Sequence, residues 1–260
     1  MNKLASIHPD AKIGANVTIS PFVTIYNDVE IGDNTYIHPN VTLYPGARIG
    51  KNCQLFPGVT VAAVPQDLKF KGEYTTAEIG DNTTLRECVT VHRGTAAKGR
   101  TVVGSNCLIM AYCHVAHDCI LGNNLIISNA TQLAGEVVVD DNAVIGGGSL
   151  VHQFTHIGSY VMIQGGTLVN KDIPPYVMAA RTPVSFVGLN IVGLRRRGFS
   201  NEQIAQIQEI YRCIFNSDMN MSDALNHIEA TLLPSPERDY VLDFIRSSSR
   251  GIIKGMQRVE

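Results

Sequence analysis

Residues 103–145 read VGSNCLIMAYCHVAHDCILGNNLIISNATQLAGEVVVDDNAVI, and every sixth residue is aliphatic: Val103, Ile109, Val115, Leu121, Ile127, Leu133, Val139 and Ile145. Outward from this stretch the same phase runs back to Ile7 and on to Val169, and it fills 25 of 28 positions with Ile, Leu or Val. Those types make up 67 of the 260 residues, so chance would fill about seven. A period of six matches neither the 3.6-residue helix nor plain strand alternation. It matches a solenoid whose coils have three flat faces, with an aliphatic residue stacked at the same place on each. Gly14, Gly32 and Gly50 lie 18 residues apart, and Gly104, Gly122 and Gly158 share their phase. Eighteen residues thus make one coil, with glycine expected at a corner that needs φ > 0. Eight or nine coils stacked at about 4.8 Å predict a parallel β-prism about 40 Å tall.

Two positions before each aliphatic slot the chain is mostly small: Ala11, Val17, Val23, Thr35, Ala47, Thr83, Ala143 and Ser149. Cys53, Cys107, Cys113 and Cys119 share that phase, which reads as a column of small buried side chains and not as a metal site. The pattern breaks at 62–78 and 92–102, where Lys, Arg and Gly replace aliphatic residues. These segments are expected to leave the coil as loops, where function concentrates. The prism is expected to end near Asp172-Ile173-Pro174-Pro175, followed by an irregular stretch 176–199. Beyond it, Ser200 and Gln203 form a capping-box pattern ahead of Ile204, Ile207, Tyr211, Ile214 and Phe215 at helical spacing. Ser235-Pro236 opens a last helix with Val241, Phe244 and Ile245 on one face.

Composition narrows the class. The chain is 45% hydrophobic and only 17% charged, which suits a substantial core and excludes a disordered chain. A net charge of −2 argues against a nucleic-acid binder. No run approaches the ~18 apolar residues of a membrane span, and the N-terminus lacks an export signal. A cytoplasmic protein without membrane insertion, disulfides or metal is expected.

Addition of 18 places neighbours. His117 leads to Gly135 and then Gln153, one column in consecutive coils. A histidine beside a carboxylate (Asp118), with a glycine N–H stacked near it, offers a general base and an oxyanion donor. On alternation alone His114 and His117 need not share a side, and His117 is expected at the prism surface and not in its core. His92 opens the second loop and His152 lies two coils beyond, so polar groups converge on one area. Between 101 and 170 there is no Lys or Arg. An anionic ligand there must be neutralised by Lys69, Lys71 and Arg93 of the loops, by Arg195-Arg196-Arg197 of the tail, or by another subunit.

These features are joined by an ordered set of motifs: Gln66-Asp67-Leu68-Lys69, His92-Arg93-Gly94-Thr95, His114-Val115-Ala116-His117-Asp118-Cys119, Leu133-Ala134-Gly135, Val151-His152-Gln153-Phe154, Asp172-Ile173-Pro174-Pro175-Tyr176 and Gly193-Leu194-Arg195-Arg196-Arg197-Gly198-Phe199. The set covers nearly the whole chain and resembles the hexapeptide-repeat acyltransferases, specifically the UDP-N-acetylglucosamine 3-O-acyltransferase family of lipid A biosynthesis. The resemblance implies a mainly β protein: a left-handed parallel β-helix over 1–189, with loops inserted at 62–78 and 92–102, and a small α-helical C-terminal domain over 190–260. It implies a homotrimer that moves an (R)-3-hydroxyacyl chain from acyl carrier protein to the 3-hydroxyl of UDP-N-acetylglucosamine, using neither metal nor free coenzyme A. Carried over by position, His117 is the general base, Asp118 orients it, and the Gly135 N–H stabilises the oxyanion. Asp67, Lys69, His92, His114, His152 and Gln153 would hold the sugar and pyrophosphate. Asn190 and Arg197 would contact the nucleotide, Arg196 the carrier-linked pantetheine or its protein, and Gly165 would set acyl-chain length.

The chain departs from the family pattern at Glu136, where a histidine is expected, and at Val192, where a glutamate is expected. Both leave a 3-amino analogue of the sugar as an alternative acceptor. A γ-class carbonic anhydrase is also a β-prism trimer, but it requires three zinc histidines, and the helical tail and the Asp67–Lys69 loop argue against it. A non-catalytic β-prism scaffold would need none of the convergent histidines.

Overall fold

The computed structural model describes residues 4–215 and 219–255. Each coil gives one short strand to each of three sheets, which contain nine, eight and eleven strands and are parallel throughout the coils. The aliphatic period becomes three vertical stacks. Ile7, Ile25, Leu43, Val61, Val91, Val115, Leu133, Val151 and Val169 align in the first sheet. Ile13, Ile31, Ile49, Ile79, Val103, Leu121, Val139 and Ile157 align in the second. Ile19, Ile37, Leu55, Leu85, Ile109, Ile127, Ile145 and Ile163 align in the third. Away from the N-terminal coil these side chains are buried, and burial of each is worth about 1.5–3 kcal/mol.

Register shows how the loops are accommodated. Partners in these stacks are 18 residues apart except across the insertions: Val61↔Val91, Ile49↔Ile79 and Leu55↔Leu85 are 30 apart, and Val91↔Val115, Ile79↔Val103 and Leu85↔Ile109 are 24 apart. The extra lengths are whole multiples of six, so the chain leaves the prism and returns in phase. The four cysteines of the small-residue column are buried free thiols, and each donates to a backbone carbonyl of the next coil, as Cys113 Sγ does to Ser128 O (3.0 Å) and Cys119 Sγ to Ala134 O (3.1 Å). Burial raises all four thiols, Cys119 to about 12.

The glycine column exists for a different reason from the one expected. None of Gly14, Gly32, Gly50, Gly104, Gly122 or Gly158 has positive φ; the left-handed residue comes two places later, at Asn16, Asn34, Asn52, Asn106, Asn124 and Tyr160. Asparagine tolerates that conformation because its short polar side chain bonds locally. The glycines serve close approach between coils. A Cβ on Gly32 would sit 2.6 Å from the Gly50 carbonyl carbon, and one on Gly158 would sit 2.6 Å from Pro175 N.

The stretch 176–199 is not irregular. Val177–Ala180 extends the third sheet, Ser185–Leu189 pairs with it antiparallel, and Lys254–Gly255 joins the far edge of that hairpin. Helix α1 (Ile191–Arg196) follows. Its Asn190 cap and the hairpin's Arg181-Thr182-Pro183 turn supply polar and proline signals that read as loop in sequence. The tail then forms α2 (Asn201–Phe215), α3 (Met221–Thr231) and α4 (Pro236–Ser247). The capping box forms: Ser200 N–H donates to Gln203 Oε1 (2.9 Å) and Gln203 N–H to Ser200 Oγ (3.2 Å). Ser235 Oγ accepts from Arg238 N–H at the start of α4. Tyr211 of α2, fully buried, donates to Pro175 O (2.6 Å), and Tyr240 of α4 donates to Asp140 Oδ2 (2.6 Å), tying the helices to the last coils.

Candidate active site

The chain turns from first to second sheet along one edge of the prism, and both insertions leave from that edge. Residues 64–75 lie between Thr60–Ala63 and Thr76–Ile79, and residues 93–99 lie between Thr90–His92 and Arg100–Val103. One coil further, residues 116–119 form the same edge. The corner residue there is Asp118, in the left-handed region (φ 60) that Asp tolerates better than most side chains.

Asp118 is fully buried. Its Oδ2 lies 2.8 Å from His117 Nδ1 and accepts from Thr95 Oγ1 at 2.7 Å, while Oδ1 accepts the backbone N–H groups of Thr95 (2.9 Å) and Lys98 (3.1 Å). Burial pushes this carboxyl upward. The bonds from Thr95, His117 and Lys98 together outweigh that and hold it below the usual carboxylate range. An ionised Asp118 facing Nδ1 fixes the proton on that nitrogen and leaves Nε2 as the acceptor. Nε2 lies 4.0 Å from Asp67 Oδ2 of the first loop.

His117 is not the open surface residue expected from its position on a coil. It is 8% exposed, because the inserted loops and the next coil cover it, although it stands outside the aliphatic interior. The addition of 18 holds: Glu136 N–H donates to His117 O, Phe154 N–H donates to Gly135 O, and a Cβ on Gly135 would come within 2.6 Å of His117 Nε2. Only glycine fits over this imidazole. The Gly135 N–H donates to no acceptor among the described residues.

His92 and His114 join His117, so His114 and His117 do share a side. The His92 and His114 rings meet edge to face, with centroids 4.6 Å apart, and His114 Nδ1 lies 2.7 Å from Thr90 Oγ1. Burial first, and then the charges of His114 and His117, lower His92 to about 4; burial and His117 lower His114. Both rings are therefore neutral at pH 7, and His92 Nδ1 is buried without a partner. Among the described residues no three His, Cys, Asp or Glu side chains are placed to hold a metal ion.

The site thus gathers a buried histidine–carboxylate pair, a glycine packed against the imidazole and a second pair of neutral histidines, groups able to move a proton and to meet a negative charge. Comparison with known proteins gives the fold and the sequence their relatives. Residues 172–253 match the model for domain 2 of UDP-N-acetylglucosamine O-acyltransferases, and residues 28–63 and 100–135 match the bacterial transferase hexapeptide model. An acyl-[acyl-carrier-protein]–UDP-N-acetylglucosamine O-acyltransferase of Chlorobium phaeobacteroides is 59% identical over 95% of this chain and 94% of its own length. The crystal structure of the UDP-N-acetylglucosamine acyltransferase of Bacteroides fragilis superposes with a TM-score of 0.96 at 56% identity, covering 98% of this chain and 100% of that one. The corresponding Arabidopsis structure does so with a TM-score of 0.86 at 35% identity, covering 98% and 100%. The chain belongs to the acyl-[acyl-carrier-protein]–UDP-N-acetylglucosamine O-acyltransferase family. Its prism is the left-handed parallel β-helix of hexapeptide-repeat acyltransferases.

Within this family member the remaining anticipated residues do not all gather on His117. Lys69 is exposed, and its backbone N–H donates to Asp67 Oδ1 (2.9 Å). Gln153 stands one coil past Gly135, and exposed His152 turns Nδ1 to Gln153 O (3.0 Å). Asn190 belongs to a second edge: its Oδ1 caps α1 at Gly193 N–H and its Nδ2 donates to Tyr160 O (2.9 Å). Arg196 and Arg197 at the end of α1 are exposed and pair with no carboxylate among the described residues. Gly165 lies on the third edge. The corner residue there is Gly166 (φ 72), and a Cβ on Gly165 would meet Gly147 O at 3.0 Å. Glu136 takes the left-handed corner after Gly135 (φ 60), and Val192 is exposed on α1. Sequence reasoning missed Thr95 and Thr90 as partners of Asp118 and His114, because addition of 18 cannot follow a residue through an inserted loop.

Proposed function

We propose that the protein transfers an (R)-3-hydroxyacyl chain from acyl carrier protein to the 3-hydroxyl of UDP-N-acetylglucosamine, the first step of lipid A biosynthesis. The observation that carries the mechanism is the arrangement of His117: Nδ1 fixed on a buried carboxylate, Nε2 turned toward the loop that carries Asp67, and Gly135, its N–H unspent, packed against the ring. His117 Nε2 takes the proton of the sugar hydroxyl as its oxygen attacks the thioester carbonyl. The negative charge that develops on the carbonyl oxygen is met by the Gly135 N–H. Collapse breaks the carbon–sulfur bond, and the imidazolium returns its proton to the departing thiolate. Asp118 stays ionised and stabilises the imidazolium. Both substrates bring their own reactive groups, so no metal or free coenzyme is needed. Neutral His92 and His114, with Asp67, Lys69, His152 and Gln153, hold the sugar and pyrophosphate, and His92 Nδ1 awaits a partner there.

The distribution of residues supports a homotrimer. His117, Asn190 and Gly165 occupy three different edges of one prism, so a site using all three draws on more than one copy. Asn190 and Arg197 then reach the nucleotide, Arg196 the phosphopantetheine or its carrier, and Gly165 the end of the acyl groove. The β-helix through residue 189 supplies chemistry, and residues 190–260 supply docking. No helix among the described residues is long and apolar enough to cross a membrane. The test is incubation of purified protein with hydroxyacyl carriers and UDP-N-acetylglucosamine, with product mass and linkage read by mass spectrometry. An ester at the 3-hydroxyl is expected. Absence of acylated sugar with every donor from ten to sixteen carbons overturns the reading.

A further inference from the structure

We propose that Thr95, delivered by the second inserted loop, is a positioning residue that holds the His117–Asp118 pair in its working arrangement; this rests on the reading of His117 as general base. The loop is built for that reach. Gly94 N–H donates to Thr76 O and Arg93 N–H to Ala63 O, both at 3.1 Å, so the segment is pinned to neighbouring strands as it leaves the coil. A Cβ on Gly94 would lie 2.6 Å from Arg100 Cα. The return is closed by Gly99 N–H on Thr95 O at 2.7 Å, and Ala96 N–H donates to Glu73 Oε1 of the first loop at 2.9 Å. The two loops are cross-braced, with Thr95 opening the tight turn.

Thr95 grips Asp118 twice, through its backbone N–H to Oδ1 and its hydroxyl to Oδ2. The direction of the second bond follows from a third. Thr95 Oγ1 also lies 3.2 Å from Ala97 N–H and accepts from it, so its own hydrogen points to the carboxylate. Oδ2 therefore receives two donors, the Thr95 hydroxyl and His117 Nδ1–H, and the carboxyl cannot rotate away from the imidazole without breaking both. Asp118 N–H is itself held by Thr101 Oγ1 at 2.9 Å. The residues of the second loop thus do what a coil corner alone cannot: they lock a fully buried carboxylate in one rotamer beneath the base.

The hydroxyl also draws charge from Oδ2. Without it, Oδ2 faces only His117 and stabilises the imidazolium more, so the base becomes harder to deprotonate. The other groups around the pair stay in place: Asp67 at 4.0 Å from Nε2, His92 and His114 from the first sheet, the Lys98 N–H on Oδ1, and the buried Cys119 thiol. Thr95→Val keeps shape and backbone N–H and removes the hydroxyl. It is expected to lower kcat about tenfold with KM within about twofold, and to move the acidic limb of the pH–kcat/KM profile up by about half to one pH unit. Thr95→Ser, which keeps the donor, is expected to restore both.

The assay runs native protein, Thr95→Val, Thr95→Ser and His117→Ala side by side, normalised to folded protein by circular dichroism and size exclusion. Should Thr95→Val not fold, Thr95→Ala carries the same expectation. A Val or Ala variant with the native limb and native kcat, or a Ser variant no better than Val, overturns the assignment while an inactive His117→Ala leaves the base in place. Full turnover by His117→Ala overturns the reading beneath it.

Discussion

Two edges of the same prism solve the same turn and spend their polar groups differently. Along the edge from second to third sheet, side-chain oxygens at the corner serve the stack. Ala15 N–H donates to Asp33 Oδ1, Lys51 N–H to Asp81 Oδ1, Ser105 N–H to Asn123 Oδ1 and Asn123 N–H to Asp141 Oδ1, at 2.6 to 2.9 Å. Along the edge from first to second sheet, the ladder is interrupted and the corner groups are left over. His92 Nδ1 is buried and unpartnered, the Gly135 N–H is unspent, and the Asp118 carboxylate is satisfied by a loop and not by the next coil. A solenoid repeats its solutions, so a corner that departs from the repeat marks a place selected for something other than stacking.

The sharpest way to break this contrast is to remove the proposed base. His117→Ala is expected to lower kcat by about 10²–10⁴-fold while the protein stays folded, because the ring lies outside the aliphatic interior. Near-native turnover of the purified variant would place the chemistry elsewhere. Asp118→Ala loses orientation and charge stabilisation but leaves the imidazole, so its loss of kcat should be smaller.

The structural edge answers to the opposite readout. Gly32→Ala forces a methyl against the Gly50 backbone at 2.6 Å, where nothing flexible can yield. It should cost about 1–3 kcal/mol, as overpacking does, and leave kcat per folded molecule unchanged. Denaturant midpoints and turnover on the same preparation check it. An unchanged midpoint would mean that the coils are looser than their spacing requires.

That glycine column shows where sequence reading succeeded and where it stopped. The aliphatic hexads and the 18-residue coil were legible because burial repeats with the backbone period. The capping box of Ser200 and Gln203 was legible because the whole signal is local. The purpose of the glycines was not, since a requirement for close approach and one for positive φ leave the same letter. The hairpin around Pro183 was hidden because two short strands carry no period. The column from His117 to Gly135 was readable by addition, yet the burial of His117 depends on loops whose path no arithmetic gives.

The third edge offers a test of intermediate size. Gly165 is exposed, and Val161 and Ile163 beside it are buried. If the acyl groove passes here, Gly165→Met fills its end and excludes two or three methylenes. At ~0.8 kcal/mol each, preference should shift by about tenfold or more toward shorter chains. The check is relative kcat/KM for donors of ten, twelve, fourteen and sixteen carbons. The parent's ranking with a uniform loss would make Gly165 part of the corner that Gly166 turns, with no role in chain length.

The last effect, absent at neutral pH, concerns the cost of keeping histidines neutral at the first edge. His92 is lowered to about 4 by burial and by its neighbours His114 and His117, whereas an unfolded histidine titrates near 6.5. Between those values the unfolded chain binds more protons than the folded one, so stability must rise with pH across that window. The contribution is complete above pH ~6.5 and is lost as pH falls toward 4. His114 and His38, also lowered by burial, add slope of the same sign, and Asp118 adds its own below the usual carboxylate range. His92→Phe keeps an aromatic edge against His114 and removes one titrating ring. Urea midpoints measured from pH 4 to 7.5 should therefore follow a shallower curve in the variant, with the two proteins diverging below pH ~6.5 by no more than one proton's worth of slope. Parallel curves would mean that His92 is protonated in the folded protein as readily as in the unfolded chain, and would remove the argument that this edge holds its imidazoles neutral.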